Sequence, residues 1–76
     1  MELGKFIENF AAQFNETPAS DFRADTKFKD LTEWSSIIAL SIIAMVDDEY
    51  GVAIKGDDIR NSTTIESLFN TVKSKK

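Results

Sequence analysis

Hydrophobic positions recur along this chain at helical spacing, and no segment keeps the strict alternation of a strand. Leu3, Phe6, Ile7, Phe10 and Phe14 make one apolar stripe, which predicts a first helix over residues 2–15. Asn15-Glu16-Thr17-Pro18 ends it, because the residue before a proline is pushed out of the α region and Asn tolerates a helix end. From Ala19 to Trp34 neither period holds. Residues 16–35 therefore read as a long connection wrapped across the bundle and pinned by Phe22, Phe28 and Leu31. A second helix is expected over 36–50, starting at Ser35 or Ser36 and stopped by Gly51, a natural residue just past a helix end. A short helical piece follows over 56–61. Thr63-Thr64-Ile65-Glu66 reads as a capping box, with Thr63 as the cap and Glu66 reaching back. It opens a last helix over 63–74 with Ile65, Leu68, Phe69 and Val72 inward, and Lys73, Lys75 and Lys76 suit its C-terminal dipole end. Four helices and no strand predict an all-α, small four-helix bundle. The expected core is Phe6, Phe10, Phe14, Phe28, Leu31, Ile42, Ile43, Val46, Ile54, Ile65 and Phe69.

The second helix carries more apolar surface than one core face needs. At about 100° per residue, Ala39, Ile42, Ile43, Val46 and Tyr50 fall on one side and form a sufficient core stripe. Ile37, Leu40, Ser41 and Ala44 fall on the opposite side, close to Ser36, with Ile38 and Met45 between the two. Such a helix is either buried nearly all round or shows an apolar stripe to a partner, and the small size of the chain favours the partner.

Composition narrows the chemistry. Seventy-six residues, 42% of them hydrophobic, make a single domain over 1–76. There is no Cys, hence no disulfide, thiol nucleophile or zinc-thiolate site, and no His, the usual general base and metal ligand. Nine basic residues against thirteen acidic ones leave a net charge of −4, which argues against nucleic acid and against an anionic membrane surface as partners. No apolar run is long enough for stable membrane insertion. The start Met1-Glu2-Leu3-Gly4-Lys5 has neither the basic head nor the apolar stretch of a signal peptide, so a cytoplasmic protein is expected.

The acids Asp47, Asp48 and Glu49 close the second helix against its macrodipole, so local stability does not account for them. A charge run is ordinarily a solvated face; as a functional feature it would dock a basic partner and speed encounter. Asp47 through Asp58 lacks the alternating ligands and central Gly of a calcium loop, so no metal site is expected. No catalytic set can be assembled from these residues either.

The most telling stretch is Glu33-Trp34-Ser35-Ser36-Ile37-Ile38, a serine pair at the mouth of the apolar helix, with Tyr50 fourteen residues beyond Ser36. A serine there is ordinarily a cap and nothing more. The order of segments adds to it. Asp25-Thr26-x-Phe28-x-Asp30-Leu31, then Ser36-Ile37, then Asp47-Asp48-Glu49-Tyr50-Gly51-Val52, then Ile54 with Asp57, Asp58 and Ile59, then Thr64-Ile65, resembles the acyl carrier protein family over nearly the whole chain.

The resemblance implies a four-helix bundle of the acyl-carrier type, with a long loop between the first two helices. It implies that a phosphopantetheinyl transferase moves 4′-phosphopantetheine from coenzyme A onto Ser36. The arm's thiol then carries an acyl or aminoacyl group as a thioester, for fatty-acid, polyketide-like or specialised lipid synthesis. That would let a chain without cysteine serve thioester chemistry, since the sulfur comes with the cofactor. The implied partners are the transferase and acyl-loading and acyl-transferring enzymes; the carrier would be a monomer and not itself an enzyme. Their docking face would comprise Ile37, Leu40, Ser41, Ala44, Asp47 and Asp48. Two departures stand out. Ser35 holds the place where the family usually has Asp, and Ile38 and Ser41 stand where typical fatty-acid carriers have further acids. The electrostatic surface is thinned and apolar contact gains weight, which points to a discrete carrier for a dedicated pathway. The competing reading is a helical protein–protein interaction module without a prosthetic group, in which Ser35 and Ser36 are caps only.

Overall fold

The computed structural model describes residues 1–76, and its regular structure is all helical, with no strand. The helices are α1 (Leu3–Ala11), α2 (Ser36–Tyr50), α3 (Gly56–Arg60) and α4 (Ile65–Lys75). Two single 3₁₀ turns, Ala19–Asp21 and Phe28–Asp30, punctuate the connection between α1 and α2. The expected all-α four-helix bundle with a long first connection is what forms.

One core of sixteen buried apolar side chains joins all four helices and the connection. Its aromatic end is built on α1. Phe10 packs against Phe6, Phe14, Phe22 and Phe28, with ring centroids 5.2–6.4 Å apart. Phe22 and Phe28 come from the connection, so the connection is held by its own side chains rather than left loose. Its backbone is tied down as well. The carbonyls of Ala24 and Thr26 accept from the N–H groups of Glu66 and Ile65, which satisfies donors that α4 itself cannot.

Three local expectations are corrected. The first helix ends at Ala11 rather than residue 15. Its continuation tightens into i→i+3 bonds, Gln13 N–H to the Phe10 carbonyl and Phe14 N–H to Ala11, which turn Phe14 into the aromatic cluster. The last helix starts at Ile65 rather than residue 63, and its cap is Thr64, not Thr63. Thr64 Oγ1 accepts from the Ser67 N–H (3.1 Å), and Ser67 Oγ, not Glu66, reaches back to the N–H groups of Thr64 and Thr63, both at 2.9 Å. The capping geometry is the one expected, moved one residue along the chain. Leu31 and Ile43, expected in the core, are only half-buried and pack on its margin.

The orientation of α2 is also corrected. Its buried residues are Ile38, Ile42, Met45 and Val46, while Ala39, Ile43 and Tyr50 sit half-buried on the flank. The core face is rotated by about 70° from the one the spacing indicated. Gly51 ends the helix as expected, at φ 65°, with its N–H on the Asp47 carbonyl at 2.9 Å.

Candidate functional site

The site is the junction where the connection becomes α2. Ser35 is the N-cap: its backbone is extended and its hydroxyl accepts from the Ile38 N–H at 3.3 Å. That duty is filled by Ser35 alone. Ser36 is the first helical residue, it is exposed, and its hydroxyl makes no hydrogen bond within the protein. The N–H groups of Ser36 and Ile37 have no backbone acceptor, because nothing precedes them in the helix. An unengaged hydroxyl thus stands beside free donors at the positive end of a fifteen-residue helix.

A groove of about 410 Å³ opens next to Ser36, between α2 and α3. Trp34, Ala39, Leu40, Ile43 and Ile59 supply its apolar lining, and Gly56 lies in its wall. The ionisable side chains that line it are Lys29 and Arg60, both cationic, in a chain with a net charge of −4. Lys29 Nζ donates to the Arg60 carbonyl at 2.7 Å, which fastens the connection to the end of α3, and the Arg60 guanidinium pairs with Asp57. No acid lines the groove. Free helix donors, a positive dipole end and the Lys29 cation, which has no acidic partner, fit an anionic phosphodiester on Ser36 Oγ, and the apolar lining fits an organic arm or cargo lying alongside.

The residues expected to form one docking face lie on the half of α2 turned away from its buried side chains, with Leu40 toward its α3 edge and Ser41 toward its α1 edge. Ile37 and Leu40 are 74% and 65% exposed, large values for side chains of this size. Leu40 lies on the α3 side, in the groove with Ser36. Ser41, Ala44 and Asp48 lie on the α1 side, where with Gln13 they line a shallow hollow; Ser41 is half-buried there and Ala44 exposed. Asp47 is exposed at the end of the helix. Ile38, which stands where an acid was noted as missing, is buried in the core.

Sequence reasoning missed Glu33. Its carboxylate accepts the N–H groups of Asn15 (2.6 Å), Glu16 (3.0 Å) and Thr17 (2.9 Å) and the Thr17 hydroxyl (2.8 Å). The Asn15 N–H does most to lower its pKa, followed by the Glu16 N–H; partial burial works against them, and both Thr17 donors add to the lowering. The result is a fall from the ordinary 4.5 to about 2. Nothing in the sequence marked this residue, since its partners lie 16–18 positions upstream. Lys29 and Arg60 were missed for a similar reason: an isolated basic residue in a loop or short helix has no pattern.

No curated protein and no solved structure matches the chain. The sequence model of one family does match, the family described as the phosphopantetheine attachment site, and it covers residues 5–72. All four helices and the Ser35–Ser36 junction fall within that span or overlap it. The chain therefore belongs to the phosphopantetheine-attachment family, whose members bind 4′-phosphopantetheine covalently.

Proposed function

We propose that Ser36 is the attachment residue and that the whole of 1–76 works as one acyl carrier domain, loaded by a phosphopantetheinyl transferase and then served by acyl-loading and acyl-transferring enzymes. The observation that carries this is the Ser36 hydroxyl, exposed and unbonded at the start of α2 inside the span the family covers. Ser35 is the weaker candidate, because its hydroxyl is engaged as the cap. When bound, the arm supplies a terminal thiol that holds an acyl group as a thioester. The chain's own residues do the rest. Ser36 Oγ is the acceptor. The free N–H groups of Ser36 and Ile37 face the phosphodiester, and Lys29, which has no acidic partner, balances its charge. Ile37 and Leu40 offer apolar contact to the partner enzymes, with Ala44 and the half-buried Ser41 on the α1 side. Asp47 and Asp48 steer a basic partner from the far end of the helix. The mixed apolar and acidic face suits a discrete carrier in a dedicated cytoplasmic pathway, with a polyketide-like, aminoacyl or lipid cargo.

Intact mass and peptide mapping after incubation with coenzyme A and a broad-specificity transferase test the assignment. The wild type gains one adduct, on Ser36. Ser36→Ala abolishes loading and leaves the fold intact, because Ser36 is not the cap. Ser35→Ala still loads and loses about 0.5–2 kcal/mol of stability with its cap. An adduct on Ser35 would move the site back by one residue. A folded protein with no adduct would instead be a helical interaction module.

A further inference from the structure

The three residues before Ser36 each have an anchor. Ser35 is bound to the first turn of α2 through the Ile38 N–H. Trp34 packs its ring on Phe28 and Phe14, with centroids 5.0 and 6.4 Å away. Glu33 reaches across to the turn that follows α1, where Asn15, Glu16 and Thr17 present three consecutive N–H groups. Consecutive backbone donors in a turn make a concavity suited to an anion, and the Glu33 carboxylate fills it. One oxygen takes Glu16 N–H, Thr17 N–H and Thr17 Oγ1–H; the other takes Asn15 N–H. One side chain thus clips together the two ends of the long connection between α1 and α2. Ser36 is the first residue after these anchors whose side chain is unengaged.

We propose that Glu33 is a positioning residue for the loading of Ser36: by clipping the Asn15–Thr17 turn to the segment that enters α2, it holds the backbone that presents the Ser36 hydroxyl. This rests on Ser36 being the attachment residue. The clip is not the only tie on this segment, because Trp34 also packs it against the core. The clip is permanent rather than a switch. Four donors keep the carboxylate ionised until the pH falls toward 2, far below any working range. Its reach is adequate, since three residues of extended chain span at most about 10 Å from Glu33 to Ser36. The reaction is sensitive to such support, because an acceptor displaced by about 1 Å can lose up to a hundredfold in rate.

The test is steady-state loading of the full chain by a broad-specificity transferase with coenzyme A, read by intact mass, at a temperature where each variant is folded by circular dichroism. Peptide mapping of the loaded wild type comes first. Glu33→Gln keeps the shape but sets an amide N–H₂ against backbone donors. Thr17→Val removes one of the four hydrogen bonds and leaves the fold's apolar contacts alone. Glu33→Gln lowers kcat about tenfold, a fraction of the largest misplacement effects. KM stays within about twofold, because the exposed apolar face of α2 that would meet the transferase is unchanged. Thr17→Val has a smaller effect in the same direction, and the double variant loses less than the two single losses combined, as residues sharing one interaction do. Should Glu33→Gln fail to fold, Thr17→Val alone carries the test, and an unchanged kcat there overturns the proposal. An unchanged kcat in folded Glu33→Gln overturns it too, as does a rise in KM with kcat intact, which would make Glu33 part of the docking surface. A wild type that loads elsewhere than Ser36, or not at all, overturns the attachment assignment first and the clip with it; the mapping step separates that case from the others.

Discussion

Helices α1 and α2 are both rich in apolar residues, yet they use them differently. In α1 the large apolar residues turn inward: Phe6 and Phe10 are fully buried and Ile7 and Leu3 pack against the core. In α2 the core takes Ile38, Ile42, Met45 and Val46, and Ile37 and Leu40 are left in solvent. A helix whose apolar content matches what the core can cover is structural. A helix that exceeds it carries surface that something else must cover, or that water tolerates at a cost. The surplus on α2 stands beside the one unengaged serine of the junction, which is why that end of the molecule is read as the working end.

The largest expected effect comes from the inward residues. Phe10→Ala is expected to lose about 3–5 kcal/mol and Ile42→Ala about 2–5 kcal/mol by chemical denaturation, with Ile43→Ala costing less than Ile42→Ala because Ile43 is only half-buried. Equal losses at Ile42 and Ile43 would restore the unrotated core face.

The outward residues of α2 sharpen the contrast. Leu40→Gln or Ile37→Gln is expected to change stability by no more than about 0.5 kcal/mol. Loading by the transferase should nevertheless suffer, with KM rising about tenfold at a contact worth about 1.4 kcal/mol. A stability loss at Leu40 as large as that at Ile42 would make the second stripe part of the core and erase the difference between the helices.

The end of α1 is tied to the approach to α2 by Glu33, and that tie has a pH signature. The folded pKa of Glu33, about 2, lies below the ordinary 4.5, so ionised Glu33 stabilises the folded state. The stabilisation is fully present above pH 4.5 and is lost as the pH falls from there toward 2. The stability difference between wild type and Glu33→Gln should therefore be flat from pH 5 to 7 and shrink on further acidification, when measured by denaturant titration at each pH. A difference that stays constant down to pH 3 would remove the carboxylate's charge from the explanation.

The smallest effect is expected at the acidic end of α2. Asp47→Asn and Asp48→Asn remove exposed charges that oppose the helix dipole, so stability should hold or rise by at most about 0.5 kcal/mol. Association with a basic partner should slow at low salt, and the gap should close as salt is added. Clear destabilisation with normal association would make these acids structural.

Periodicity worked where a helix has one apolar face and failed where it has two. In α1 the stripe pointed at Phe6 and Phe10, both buried. In α2 apolar residues surround the axis, so the pattern holds little information about which side faces inward, and only packing against the neighbouring helices selects Ile38 and Met45. The cap of α4 was misplaced by one residue because Thr63 and Thr64 are alike in the sequence. The choice falls to the connection, whose Ala24 and Thr26 carbonyls engage Glu66 and Ile65. The paired serines posed the same ambiguity before α2, and there the extended backbone of Ser35 and its bond to Ile38 decide which hydroxyl is engaged.

Read alone, the chain determines four helices, the stop at Gly51, the absence of thiol and imidazole side chains, and a serine pair at the mouth of an apolar helix. Those features depend on neighbouring residues, on local spacing and on composition. Tertiary structure alone decides the rotation of α2, the groove that brings Lys29, Leu40 and Arg60 beside Ser36, and the Glu33 clip. Each of these joins groups far apart in the chain, such as Lys29 with the Arg60 carbonyl 31 positions away. A pairing at that separation leaves no local pattern, because only the folded core brings the two partners within reach.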